Sequence, residues 1–241
     1  MTGLGRVTVV VPVYRNADTL VELADRLAAA LSGHDWRLRL VVDACPDGSA
    51  AVADGLAVAR PEVAVTHLGV NGGQHAALRR GLADEAGSDL WVCLDADLQD
   101  PPEAVPALLT ALVTDPVAAV FAGRRGYYES PSRRLTGTGH RMVLAMLTGL
   151  PRDAGAFLAL DARARGAVLA GTAPSIVAAV GASRLPVGSI PVARAVRPRG
   201  SSAWTGRARL RQSLRSLAWA AAQRTQRWTT SGVNAAGSGH S

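Results

Sequence analysis

Lysine is absent from this 241-residue chain, so arginine supplies all 26 basic groups. A GC-rich genome produces such a bias without any functional cause. Cysteine is almost absent too: only Cys45 and Cys93 occur, each inside an apolar run. Two thiols exclude a disulfide framework, and their spacing excludes a thiolate metal cluster. They read as core thiols in a reducing cytoplasm. No acidic residue follows Asp161, so residues 1–161 carry net −5 and residues 162–241 carry net +12. That asymmetry implies a second half facing phosphates, a membrane surface or nucleic acid. No nucleic-acid module is recognisable, so no nucleic acid is expected as partner. Long apolar runs are missing as well. The longest uncharged stretch, Gly166 to Ser183, has 18 residues and is broken by Gly171, Pro174 and Ser175. A spanning helix wants about 20 strongly apolar residues, so none is expected there. The N-terminus enters an apolar strand pattern with no cationic leader, which reads as a cytoplasmic protein without a signal peptide.

What is present is a folded α/β pattern, with 48% hydrophobic and 19% charged residues. Val7 to Val13 is a β-branched run of the kind buried on both faces of a parallel sheet. Asp18 is placed to cap a helix whose Leu20, Leu23, Leu27 and Leu31 share one face. Strands are expected at Leu38–Val42, Val63–Leu68 and Leu90–Leu94, with helices at Ser49–Ala59 and Gln74–Ala86 between them. A helix over Glu103–Leu112 and a strand over Val117–Ala122 follow. Alternation of this kind gives a doubly wound, mostly parallel sheet with flanking helices. Ligands bind such sheets beyond the carboxyl ends of the strands. Three expected ends carry polar residues there: Tyr14 with Asn16, Asp43 with Asp47, and Asp95 with Asp97.

The sharpest pattern is Asp95-Ala96-Asp97-Leu98-Gln99-Asp100-Pro101-Pro102-Glu103, directly after a buried strand. Alternation puts Asp95, Asp97 and Gln99 on one side. Grouped hard oxygens suit Mg²⁺ or Mn²⁺, ions that keep several waters and bridge phosphate oxygens. With this stretch the sequence resembles the inverting family-2 glycosyltransferases of GT-A (Rossmann-like) fold. Within them it is most similar to the polyprenyl-phosphate sugar transferases, of the dolichyl-phosphate mannose synthase and undecaprenyl-phosphate aminoarabinose transferase type. The resemblance spans residues 6–220 and rests on seven ordered motifs. They are VVVPVYRNADTL (Val9 to Leu20), VVDACPDGSA (Val41 to Ala50), NGGQHAALRRGL (Asn71 to Leu82), LDADLQDPPE (Leu94 to Glu103), GRRGYYESPSRR (Gly123 to Arg134), DAGAFLALDAR (Asp153 to Arg163) and RPRGSSAW (Arg197 to Trp204).

The resemblance implies a nucleoside diphosphate sugar donor, UDP or GDP, whose nucleoside lies against Pro12, Tyr14, Asn16 and Asp43. It implies metal and diphosphate on Asp95, Ala96, Asp97 and Gln99, with Asp95, Asp97 and Gln99 as ligands and Asp97 central to catalysis. Asn71, Gly73 and Gln74 would shape the donor pocket, and His75 would be structural. Arg124 and Arg197 would meet phosphates, as guanidinium forks do. A polyprenyl phosphate acceptor would need no general base. A soluble hydroxyl acceptor would need one, and Asp153 is the candidate. Four positions depart from the family pattern: Asn16 replaces a glutamate, Val42 an aspartate, Ala159 an arginine and Ala203 a lysine. A non-catalytic nucleotide-sugar-binding protein is the reading from another class.

Residues 1–203 are therefore expected to form the glycosyltransferase domain, 204–228 a basic amphipathic C-terminal helix and 229–241 a disordered tail. In that helix Leu210, Leu214 and Leu217 form one stripe beside Arg207, Arg211 and Arg215, with Trp204, Trp219 and Trp228 as anchors. The pattern suits peripheral contact with an anionic membrane surface or, equally, packing on the domain.

Overall fold

Successive valines of the first strand, β1 (Val7–Val13), divide between two halves of the core. Val7, Val9, Val11 and Val13 pack on one side, whereas Val10 joins Val41, Trp91 and Cys93 on the other. This is the period-two consequence of a strand buried on both faces. The computed structural model describes residues 4–125, 149–151, 153–194 and Trp219.

After β1 come α1 (Leu20–Ala30), β2 (Trp36–Asp43), α2 (Ser49–Ala59), β3 (Val63–Leu68), α3 (Gln74–Asp84) and β4 (Leu90–Cys93). A 3-10 turn (Pro102–Ala104) leads into α4 (Val105–Thr114) and β5 (Ala119–Arg125). The later elements are β6 (Leu158–Leu160), α5 (Ala162–Ala170), α6 (Ile176–Ser183) and β7 (Val187–Ala193). The described strands form one sheet in the order β3-β2-β1-β4-β6-β5-β7. Helices α1, α2 and α4 cover one face, and α3, α5 and α6 cover the other. The expected leucine stripe is fully buried at Leu20, Leu23, Leu27 and Leu31. Each such side chain contributes about 1.5–3 kcal/mol by leaving water.

The sheet is mostly parallel, as expected; the exception is β6, which runs antiparallel to both β4 and β5 because the chain re-enters from the edge at which β5 ends. Several other expectations needed correction. Asp18 is not the cap of α1. Thr19 holds that position without a capping bond, and its hydroxyl donates to the Ala96 carbonyl at 2.6 Å. Helix α3 stops at Asp84, short of Ala86, because Glu85 is drawn inward. Its carboxylate accepts from Arg39 Nη2 at 2.5 Å and its carbonyl from Trp91 Nε1 at 2.8 Å. Strands β2 and β5 also extend to Trp36 and Arg125, and α4 begins only at Val105, after the proline-led 3-10 turn. No helix among the described residues is long and apolar enough to cross a membrane. The expected helix over 204–228 and the tail lie outside the described residues, except that Trp219 is helical, partly buried and packed on the second half of the core.

Helix α3 approaches the sheet at Gly81, where a Cβ would fall 2.4 Å from Val10 Cγ1 and 2.9 Å from Val41 Cγ2. Gly55, on the open face of α2, has nothing within 4 Å of that position. The same substitution should therefore act with opposite sign. Gly81→Ala is expected to destabilise by about 1–3 kcal/mol through overpacking. Gly55→Ala is expected to stabilise by roughly 0.5–1 kcal/mol through helix propensity. Urea midpoints of the two variants check the pair.

Candidate active site

The parallel strands all end at one edge, so the loops after β1, β2, β3 and β4 meet there. Left-handed backbone collects in the same place: Arg15, Ala44 and Leu98 take φ of 58°, 48° and 58° in the loops after β1, β2 and β4. Each non-glycine residue so placed costs about 1–2 kcal/mol, and such strain gathers at functional sites.

In the loop after β4 the expected alternation is present. Ala96, Leu98 and Asp100 are buried, while Asp95, Asp97 and Gln99 remain partly exposed on the other side. Asp97 Oδ1 accepts from the Gln99 backbone amide at 3.1 Å, which closes a turn between the two residues. Asp95 Oδ1 accepts from Gln74 Nε2 at 2.5 Å, tying the loop to the first turn of α3. From the opposite side Thr19 holds the Ala96 carbonyl.

Asp43, expected at the nucleoside, is almost wholly buried, 1% exposed. Its Oδ1 accepts from the Gly72 amide at 2.7 Å and its Oδ2 from the Gly73 amide at 2.8 Å. Asn71 Nδ2 donates to the Asp43 carbonyl at 3.2 Å. Gly73 adopts φ of 80°, a conformation that side-chain-bearing residues avoid. Asp43 thus shapes the loop before α3. Pro12 lies within β1 opposite Val41, and Tyr14 carries Arg15 over its ring at 5.5 Å. Asn16 Oδ1 accepts from the Tyr14 amide at 3.2 Å, and the Asn16 amide donates to Ser49 Oγ at 2.9 Å. Cys45, at the same edge, donates to the Val13 carbonyl, and burial raises its thiol pKa. Among the described residues His75 Nδ1 is buried without a hydrogen-bond partner. Burial, then the charge of Arg79, lowers its pKa to about 4, so the ring is neutral at pH 7.

Across the site, Asp153 lies against Gly123, where a Cβ would fall 2.1 Å from Asp153 Oδ2. Ser189 Oγ lies 3.3 Å from both carboxylate oxygens. Of Arg124 only the backbone is described, in β5 opposite Val192, and Arg197 lies outside the described residues, as does Ala203. Ala159 is fully buried in β6. Sequence reasoning missed Thr19, Ser49, Ser189, Asp100 and Arg194. Asp100 stood inside a quoted motif, but nothing in the pattern revealed its partner, Arg194 Nε, 3.1 Å from its Oδ1.

Among the described residues no three His, Cys, Asp or Glu side chains form a complete metal cage. The donor set still fits Mg²⁺ or Mn²⁺, which bind through one or two carboxylates and complete their shells with water and substrate phosphates. Asp95, Asp97 and Gln99 would hold such an ion, and it would supply charge to a diphosphate.

Residues 8–158 match the model of the family described as Glycosyl transferase family 2. The chain belongs to that family. Among curated relatives of this family 2 member, the undecaprenyl-phosphate 4-deoxy-4-formamido-L-arabinose transferase of Pseudomonas fluorescens is 43% identical over 107 residues, 43% of this chain and 31% of the relative. The protein of the same name from Proteus mirabilis is 34% identical over 148 residues, 60% of this chain and 44% of the relative. The chain thus spans less than half the length of these relatives. Glucosyl-3-phosphoglycerate synthase from Mycobacterium tuberculosis, solved with Mn²⁺, UDP-glucose and phosphoglyceric acid, superposes with TM-score 0.68 at 18% identity, covering 91% of this chain and 79% of that one. Mannosyl-3-phosphoglycerate synthase from Rubrobacter xylanophilus gives 0.63 at 18%, covering 94% and 75%. These two establish the shared fold. The expected family and mostly parallel GT-A sheet are borne out.

Two predictions follow from this geometry. Asp43→Asn retains one acceptor oxygen for two amides and should cost about 1.5–3 kcal/mol, read as a lower urea midpoint. For His75, the unfolded ring binds its proton near pH 6.5 and the folded ring only near 4. Stability should therefore be complete above pH 6.5 and fall between pH 6.5 and 4, by about 3 kcal/mol for a shift of that size. Thermal unfolding of His75→Gln should lose that slope.

Proposed function

We propose that this family 2 member is a metal-dependent inverting glycosyltransferase moving a sugar from a nucleoside diphosphate sugar, UDP- or GDP-linked, to a polyprenyl phosphate. The observation carrying the reading is the outward-facing set Asp95, Asp97 and Gln99, held from both sides by Gln74 and Thr19 at the sheet edge. The names of the curated relatives support the acceptor, since each is a transferase to undecaprenyl phosphate. The neighbour solved with Mn²⁺ and UDP-glucose supports the metal and the donor class.

On this reading a phosphate oxygen of the acceptor attacks the anomeric carbon while the bond from that carbon to the diphosphate breaks, with inversion. The nucleophile is already anionic, so no base is required. Catalysis then rests on holding the reactants in line and stabilising charge on the departing diphosphate. Asp95, Asp97 and Gln99 would hold the ion, which would supply that charge, and the arginines at 124 and 197 would meet phosphates. Pro12, Tyr14, Asn16, Asp43, Asn71, Gly73, Gln74 and Ala96 would line the donor. The net charge of +12 over residues 162–241 supports peripheral attachment to the anionic cytoplasmic face of a membrane.

A soluble acceptor is the second reading, favoured by the neighbour solved with phosphoglyceric acid and by Asp153 beside Ser189. Asp153 would then take the proton of an attacking hydroxyl.

Thermal shift with UDP, GDP, CDP and dTDP, each with and without Mn²⁺, tests the donor site. Ligand at about 100 times its dissociation constant adds about 2.7 kcal/mol. One nucleotide should stabilise the protein only with metal, and Asp97→Ala should abolish that shift while lowering sugar transfer at least about 100-fold. The absence of a shift with every nucleotide would refute the reading. Transfer to undecaprenyl phosphate, compared with phosphorylated and hydroxyl-bearing soluble acceptors, separates its two forms.

A further inference from the structure

The loop that presents Asp95, Asp97 and Gln99 outward turns one charged group the other way. Asp100 is 3% exposed, and its only described countercharge is Arg194, immediately after β7, whose side chain is 19% exposed. The Nε to Oδ1 distance is 3.1 Å. Among the described residues neither Arg194 Nε nor Asp100 Oδ2 makes a hydrogen bond of good geometry. As a device for stability this is a poor arrangement, because desolvating two charges is repaid only by well-formed hydrogen bonds. What the pair does achieve is a connection. It joins the carboxylate loop, on one side of β6, to β7, which lies at the end of the sheet beyond β5. Asp100 follows Gln99 directly, and the turn closed by Asp97 Oδ1 on the Gln99 amide lies one residue away. Displacement of Asp100 therefore moves both outward-facing side chains.

We propose that Arg194 is a positioning residue: by anchoring Asp100 it fixes the loop so that Asp97 and Gln99 face a divalent ion and diphosphate. Arg194 itself touches neither. The inference rests on the donor-site reading above. It also ties the geometry of that site to the arginine-rich segment that begins at position 194.

The test uses the full chain and three variants, Arg194→Met, Arg194→Lys and the double variant Asp100→Asn with Arg194→Met. Arg194→Met leaves a carboxylate buried without a countercharge and is expected to lower the melting temperature. The double variant removes that charge, so it separates folding from positioning. Calorimetric titration of Mn²⁺ in the presence of saturating UDP or GDP, whichever the protein binds, should show half-saturation raised about 10–100-fold in Arg194→Met, the range typical of groups that orient metal ligands. Arg194→Lys should restore it to within about threefold. The double variant should recover the parental melting temperature and keep the metal defect. Amide hydrogen exchange over residues 95–100 should quicken at least about tenfold in the double variant, a readout that needs no metal or nucleotide. Unchanged exchange overturns the inference, as does parental Mn²⁺ affinity in the double variant. Failure of the parental protein to bind any nucleotide with Mn²⁺ overturns the donor-site reading instead, and the exchange measurement still decides whether Arg194 fixes the loop.

Discussion

A buried carboxylate, Asp43, is the interaction on which the candidate site depends. Left alone at the end of β2, a desolvated anion costs several kcal/mol. Two backbone amides, from Gly72 and Gly73, remove that cost by donating to its two oxygens. Those bonds fix the chain where it turns into α3, and so fix Gln74, which in turn holds Asp95. Each step is geometric. The φ of 80° at Gly73 permits the approach, and α3 then starts with its first side chain directed at the loop after β4. Charge burial at one strand end is thereby converted into the orientation of a carboxylate on another.

The sheet makes such conversion possible. Strands β2, β1 and β4 are adjacent and parallel, so their carboxyl ends emerge side by side, and each loop has only its neighbours to bond with. Thr19 shows the consequence. Its hydroxyl would ordinarily serve the first turn of α1, yet it is committed to Ala96 in a loop far along the sequence. Local capping is given up for a contact that holds the site. Arg15, Ala44 and Leu98 reflect the same priority, since unfavourable backbone is tolerated where loops must bring side chains together. Behind the site the structure is conventional: leucines and valines fill both faces, and Arg165 stacks on Trp91 at 4.8 Å where α5 meets the sheet.

Membership rests on residues 8–158 and places the chain among glycosyltransferases of family 2. On the proposed reading the half of the sheet from β1 to β4 carries the nucleotide side, while the half around β5, β6 and β7 places Asp153 beside Ser189 and Arg194 beside Asp100. The change of strand direction at β6 marks the boundary between these halves. A ligand seated at the edge would meet polar groups from both, as expected where a sheet's connectivity switches.

Much of this was legible in residue order. The period-two valines of β1, the leucine stripe of α1 and the polar residues after β1, β2 and β4 are local patterns. Local patterns survive translation into structure because backbone geometry imposes them. The alternation of Asp95, Asp97 and Gln99 against Ala96, Leu98 and Asp100 is of that kind, and it was readable before any coordinates existed. What the residue order could not supply was pairing across distance. Nothing local announces that Asp43 accepts from two glycine amides, that Thr19 donates to Ala96, that Glu85 turns inward to Arg39 and ends α3 early, or that Asp100 meets Arg194. Each depends on which strand lies beside which, and on how far a desolvated group must reach for a partner. The sequence by itself determined the elements, their faces and the residue types at the sheet edge. Only the tertiary structure decided which of those polar groups are used to hold the site and which are left to face a ligand.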